Sequence, residues 1–373
     1  MNPPRIAIAS PSANAWSETF IAAHLERLHG VELVLVDGEL PTRVAGGPLL
    51  RGRTAPGRLA DRLLALLRGT DPQGLVRHRI ARLLQRRGIE VLLAEYGNCA
   101  QALIGPARAA GVPLVAHFHG FDAHRMDYVE RLGRYRELFA SAAALVVVSR
   151  AMERQLLALG APPEKVVYNC YGIDVGRFAA GAPEQAPPHF VAVGRFVEKK
   201  APQRTIAAFA RALAQVPAAR LTLVGKGPLW EDCVRQVQEL GIGHAVDLCG
   251  VRTPDEIAAL LRGARAFVQH SVRAANGDSE GTPLAVLEAM ATGIPVIATR
   301  HTGIADVVGE EREGLLCEEH DVEGMAHNLV RVALDPALAG RLGRAGRAKA
   351  EREHRVEDSI ARLQAILERA AHR

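Results

Sequence analysis

Short apolar, β-rich runs alternate with longer helical patterns along this chain, and the alternation runs through twice. In the first half the runs lie at 5–9, 32–36, 91–95, 114–118, 145–148 and 166–169. Between them sit stretches of helical periodicity at 18–28, 58–68 and 101–110, and Leu59, Leu63, Leu66 and Leu67 fall on one face of the second. Near-continuous apolar strands separated by helices predict a parallel sheet covered on both sides. A turn-rich segment at 179–188, AAGAPEQAPP, breaks the pattern and reads as a linker. The pattern then restarts, with strands at 190–193, 220–224, 246–249, 266–270, 295–298 and 314–317 and helices at 205–215 and 284–291 among those between them. The 373 residues suit two domains. They are expected at 1–178 and 189–350, followed by a helical tail at 351–373 that is apolar at Val356, Ile360, Leu363 and Leu367. Ligands of such folds sit outside the carboxyl ends of the strands, so the loops there are where function is expected.

The loop-helix segment at 271–308 is the richest of these: SVRAANGDSEGTPLAVLEAMATGIPVIATRHTGIADVV. Glu280 and Glu288 bracket a Gly281-Thr282-Pro283 turn and the first turns of a helix. Pro283 suits the first helical position, where no intrahelical N–H is lost. Glu288 falls among Leu284, Val286, Leu287, Ala289 and Met290. A carboxylate in that setting needs a partner, and two adjacent sugar hydroxyls would suit it. The N–H groups of Gly281, Thr282 and Leu284 open the same helix and can hold an anion such as a diphosphate. The alternative is a surface helix that happens to carry two Glu.

The spacing of Glu280 and Glu288, with the continuation GIPVIATRHTGIADVV and EGLLC, resembles the donor site of the retaining, family 4 type glycosyltransferases of the GT-B fold. The likeness is greatest to bacterial exopolysaccharide and colanic-acid type enzymes, and it runs from about residue 17 to residue 316. It implies two Rossmann-like α/β domains with a cleft between them, the second holding the donor, and a final helix crossing back to the first. FVAVGRFVEKK at 190–200 matches the charges of the family pattern at Arg195 and Lys200, with Ala201 where Gly is usual. Two fixed cations can meet the charge on a departing diphosphate; an exposed basic loop is the alternative. The turn in LTLVGKGPL, at Gly225, is implied to shape the donor pocket, and Arg252 to lie near the nucleotide base. That turn lacks the ending of a P-loop. In LVAHFHGFDAH, His119 matches the family histidine that faces the donor sugar. His117, His119 and His124 fit no strong metal-ligand spacing. His117 reads as a packed strand residue and His124 as an exposed one. Ser17, Glu18 and Thr19 open a helix after the first strand; the resemblance puts them on the acceptor side, and a plain N-cap is the alternative. Glu95 to Asn98 end another strand on the same rim.

Aromatics make up 4% of the chain, which argues against stacking platforms for nucleic acid. The net charge is +5, and residues 43–87 carry eleven Arg against two Asp. Such a face either binds acidic lipid headgroups or is simply solvated. Cys99, Cys170, Cys233, Cys249 and Cys317 lack metal spacing and read as buried thiols of a reducing compartment. The start, MNPPRIAIAS, lacks the features of a signal peptide, and no apolar run is long enough to span a membrane. The expected place is the cytoplasm, with peripheral contact at the inner face of the membrane as an option. The expected activity is retaining transfer of a sugar from a nucleotide-sugar donor to a glycan or lipid-linked glycan. Its setting would be bacterial surface or extracellular polysaccharide assembly. No Asp-x-Asp pair is present to hold a divalent ion, so neither metal nor other cofactor is expected. Two alternatives stay open: an epimerase or hydrolase of the same fold, and a non-catalytic sugar-nucleotide-binding subunit.

Overall fold

A computed structural model describes residues 3–12, 19–52 and 54–372. The chain divides into two compact units. One holds residues up to Asn169 together with those from Ser359 onward, and the other is Cys170–Asp358.

The first unit is built on β1 (Ile6–Ser10), β2 (Val31–Val36), β3 (Arg43–Val44), β4 (Val91–Glu95), β5 (Leu114–Phe118), β6 (Ala144–Val147) and β7 (Val166–Tyr168). Their order is β3-β2-β1-β4-β5-β6-β7. Every pair is parallel except β2 with β3. The residues of β1, β4 and β5 are buried throughout, which is why these strands read as unbroken apolar runs rather than alternating ones. The strand β3 was not expected; two residues are too few to show a period. The order reverses between β1 and β4, so the loops after those two strands flank a switch point.

The helix Ala55–Leu67 starts at Thr54, whose side chain accepts the Gly57 N–H. Its buried residues are Asp61 and Ala65. Asp61 accepts the Gly52 N–H at 2.7 Å and pairs with Arg79 at 2.8 Å. The leucine face turns outward: Leu59, Leu63, Leu66 and Leu67 are 58, 55, 76 and 83% exposed. The helical period is present, but it does not mark the core. The tail is two helices, Pro336–Glu353 and Val356–Ala371. Leu363, Ile366 and Leu367 of the second are buried. Its Arg362 donates to the Asn169 side chain at 2.9 Å, and its Gln364 accepts the His29 N–H at 3.1 Å.

The second unit holds β8 (His189–Val193), β9 (Arg220–Val224), β10 (Val246–Gly250), β11 (Ala266–Gln269), β12 (Val296–Thr299) and β13 (Gly314–Cys317). These form one parallel sheet in the order β10-β9-β8-β11-β12-β13. Phe190, Ile206, Phe209, Val268, Ile297 and Leu329 lie in its core. Here the order reverses between β8 and β11. The switch point therefore faces the loops that carry Arg195, Lys200 and Glu280. All five cysteines are free thiols. Among the described residues, no helix is long and apolar enough to cross a membrane.

Candidate active site

Three loops at the carboxyl ends of β8, β9 and β10 are laced together through their backbones. Gly194 N–H donates to Val224 at 2.9 Å, Phe196 N–H to Lys226 at 3.1 Å, and Gly225 N–H to Gly250 at 2.8 Å. Gly225 has φ +132°, and a Cβ there would lie 1.9 Å from the Gly194 carbonyl oxygen. Only glycine fits. After β8 the chain makes a single 3-10 turn, Glu198–Lys200, and reaches Ala201 at φ +37°, ψ +52° before the helix Pro202–Gln215. That left-handed turn explains why glycine is the usual residue at position 201.

The turn sends two adjacent lysines to different tasks. Lys199, buried, donates to Asp278 at 2.9 Å and to the Ser279 carbonyl at 3.3 Å, so it braces the loop after β11. Lys200 lies 3.2 Å from Glu280 Oε2 and donates to Gln269 at 3.3 Å. Burial lowers the Lys200 pKa; Glu280 opposes the shift, while Lys199 and Arg195 add to it. Arg195 is exposed and has no ion pair among the described residues.

Glu280 is 6% exposed. Burial alone would raise its pKa, but Lys200 and then Lys199 hold it below the ordinary carboxylate value, so it is ionised. Its backbone N–H donates to His301 Nε2 at 3.2 Å, and His301 Nδ1–H donates to Glu319 at 2.5 Å. Glu280 Oε1 is buried and has no hydrogen-bond partner among the described residues.

The helix Leu284–Thr292 follows at once. Pro283 is its N-cap rather than its first helical residue, and no side chain caps it. A proline at the cap offers neither a side-chain acceptor nor an N–H. The N–H groups of Gly281 and Leu284 find no acceptor among the described residues. Thr282 is buried, with its hydroxyl 3.8 Å from Cys170 Sγ. Glu288 is half-buried between fully buried Leu287 and Ala289. Burial pushes its carboxyl up to about 7, against the pull of Arg177 and Lys200. No hydrogen bond or ion pair reaches that carboxylate among the described residues. Arg252 is exposed, precedes the helix Pro254–Arg262 and lies 3.8 Å from Glu256 in its first turn. A cavity of about 540 Å³ lined by His189, Arg220 and Asp247 opens at the other end of the same strands, away from these groups.

On the first unit, His119 follows β5 in a loop tied down by Asp122. The Asp122 carboxylate accepts N–H groups from His119 at 3.0 Å, Gly120 at 2.8 Å and Gly97 at 2.9 Å. His119 is buried, and its Nε2 lies 2.8 Å from Glu95. Burial, then His117, push its pKa down to about 3. The fold also brings His24, Glu95 and His117 together, with ligand-type atoms within 4.8 Å of one another. Spacing could not show this, because the three come from separate elements. His117 is a buried strand residue; His124 is half-buried rather than exposed. Tyr96, beside His119, is held at φ +73°, a conformation that side chains avoid and that collects at functional sites. Thr19 is the exposed first residue of the helix Thr19–Arg27. Ser17 and Glu18 lie outside the described residues.

Sequence reasoning did not single out Lys199, His301, Glu319 or His24. His301 was within reach, since it stands in the HTGI stretch of the family pattern. Nothing in the Lys199-Lys200 doublet tells which lysine is braced and which is free to act.

Comparison with known proteins gives the chain's family and fold. The family of glycosyl transferases group 1 matches residues 177–349, and the glycosyl transferase 4-like domain matches residues 20–172. The amylovoran biosynthesis glycosyltransferase AmsK of Erwinia amylovora is 32% identical over 260 residues, 69% of this chain and 64% of that protein. WcaL of Salmonella typhimurium, named for colanic acid biosynthesis, is 30% identical over 270 residues, 70% of this chain and 66% of its own length. The match thus spans a little under two thirds of each relative. Anabaena HepE, solved in complex with UDP, superposes with a TM-score of 0.78 over 97% of this chain and 99% of its own, at 16% identity. The chain belongs to the group 1 glycosyltransferases, with a glycosyltransferase 4-like first unit and the two parallel-sheet α/β domains of the GT-B fold.

Proposed function

We propose that this chain moves a sugar from a nucleotide-sugar donor to a glycan or lipid-linked glycan acceptor, with retention of anomeric configuration, in extracellular polysaccharide assembly. The observation that carries the reading is Glu280. It is ionised, buried and clamped by Lys200 through one oxygen, while the other has no partner among the described residues. It also stands at the head of a helix without a side-chain cap. A sugar hydroxyl satisfies the unpaired oxygen. The diphosphate then meets the N–H groups of Gly281 and Leu284, with Lys200 and Arg195 supplying positive charge. These cations belong to the chain itself, so the reaction is proposed to run without a metal ion. Glu288 takes the ribose hydroxyls. Thr282 and Pro283 shape the turn, Gly225 lets the neighbouring loops close up, and Arg252 is carried over toward the base.

No carboxylate is placed as a nucleophile in this reading. The leaving phosphate takes the acceptor's proton on the same face of the sugar, and the resemblance carries His119 into the catalytic set. Ser17, Glu18 and Thr19 are assigned to the acceptor side. The names of AmsK and WcaL favour transfer over the epimerase and binding-subunit alternatives, and the UDP bound to HepE supports a nucleotide-linked donor. A thermal-shift panel of nucleotide sugars tests it. One donor class should raise the melting temperature, and Glu280→Gln should keep the response to the bare nucleotide while losing the extra response to its sugar. Absence of any nucleotide response would end the proposal.

The outward leucines of Ala55–Leu67 favour one addition. Arg58 and Arg62 on the same helix, and Arg68 at its C-cap, are exposed. An apolar face flanked by arginines is built to lie in an anionic lipid interface, where a lipid-linked acceptor would be met.

A further inference from the structure

Glu95 ends β4 and is fully buried, with imidazoles around it from separate elements. His24 Nδ1 is 2.7 Å from Oε1, His119 Nε2 is 2.8 Å from Oε2, and His117 Nδ1 is 3.4 Å from the same Oε2. We propose that Glu95 is a positioning residue for His119, holding it in the Nε2–H form so that Nδ1 acts as a hydrogen-bond acceptor. This rests on the reading that puts His119 in the catalytic set.

The chemistry leaves little choice. An ionised carboxylate only accepts hydrogen bonds, and one with no access to water must find its donors inside the protein. The nitrogen of His119 that faces it must therefore carry hydrogen. Glu95 is held well below the usual carboxylate range by the three histidines, despite its burial. Burial and the nearby His117 disfavour a second proton on His119. With one hydrogen fixed on Nε2, the lone pair is on Nδ1. The ring cannot easily turn away. Phe20 and Tyr96 lie 4.5 and 4.6 Å from it, centroid to centroid, and Asp122 holds the backbone of its loop. His24, donating to the other oxygen, fixes the plane of the carboxylate.

The same residues invite comparison with a metal site. Two ligands on one tetrahedral zinc ion stand about 3.3 Å apart, given bonds of about 2.0–2.1 Å. The 2.7 Å between His24 Nδ1 and Glu95 is shorter and is a direct hydrogen bond. The geometry therefore favours the hydrogen-bonded hub.

The experiment is nitrogen-15 NMR on histidine-labelled full-length protein, with His119 assigned through His119→Gln. The wild type should show His119 as the neutral Nε2–H tautomer, and Glu95→Gln should lose that fixed pattern. Glu95→Gln should also lower kcat roughly 10²-fold, the order expected when a group that orients the reacting sugar is misplaced, with the donor KM little changed. An Nδ1–H or doubly protonated His119 in the wild type overturns the proposal without reference to any variant. So does stoichiometric zinc in the purified protein by elemental analysis. If Glu95→Gln turns over normally while His119→Gln does not, positioning fails and the catalytic reading stands. If His119→Gln turns over normally, the catalytic reading fails, and the proposal with it.

Discussion

Glu288 sets function against stability, and the opposition can be measured. Its carboxyl is moved by burial from an ordinary 4.5 to about 7 in the folded chain. Between those two values the folded chain keeps a proton that the unfolded chain has released. Stability therefore falls as pH rises through that window and levels off above it. At 1.36 kcal/mol per pH unit, discounted for the residual exposure of the side chain, the cost above pH 8 is about 2–3 kcal/mol. Glu288→Gln keeps the shape and removes the charge. It should stabilise the second unit at pH 8 by that amount, roughly 5–10 °C in melting temperature for a unit of this size, and have little effect at pH 5. The same substitution should weaken nucleotide binding at pH 8, because an amide accepts less strongly than a carboxylate. Binding to the wild type should tighten as pH rises toward 7 and release part of a proton, visible by calorimetry in buffers of different ionisation enthalpy. Equal melting shifts at pH 5 and pH 8 would refute the reasoning.

Three further outcomes follow from the same geometry. Lys200→Met leaves buried Glu280 without its nearest cation and removes charge from the diphosphate clamp; kcat should fall on the order of 10²-fold or more, with a smaller change in donor KM. Gly225→Ala drives a methyl into the Gly194 carbonyl and should cost about 3 kcal/mol or more by denaturant titration; a neutral result would mean the loops are not locked as described. Replacing Leu63 and Leu66 with Ser should abolish flotation with anionic vesicles and leave turnover on a water-soluble acceptor unchanged; unaltered flotation would remove the membrane-facing role.

Most of the fold was legible because parallel strands buried on both faces leave long unbroken apolar runs. Each strand that follows this rule, such as Leu114–Phe118, lies within a residue or two of its expected place. Arg43–Val44 escaped because an edge strand of two residues has no period to read. The leucines of Ala55–Leu67 show the opposite failure. Periodicity says which residues share a face, but not which way the face points, and here Asp61 rather than the leucines is turned inward. At the site, Glu280 and Lys200 lie 3.2 Å apart. What holds them does not show in spacing: the His301–Glu319 pair behind Glu280 and Lys199 bracing Asp278 link residues well apart in sequence, as does His24 against Glu95 beside His119 in the first unit. Such supporting contacts depend on which strands become neighbours, and single-sequence patterns do not carry that. Ala201 is a middle case. Its departure from glycine was visible, but the reason for glycine, a left-handed backbone, shows only in the fold.

The most direct test is the stereochemistry of transfer, read with and without a chelator. The chain is incubated with the nucleotide sugar that gives the largest thermal shift and a glycan acceptor, and the new linkage is assigned by proton NMR. A product that keeps the donor's anomeric configuration, formed at the same rate in EDTA, is the result expected if Arg195, Lys200 and the N–H groups of Gly281 and Leu284 meet the departing diphosphate on one face of the sugar. An inverted anomer, or activity abolished by EDTA and restored by magnesium or manganese, would contradict it.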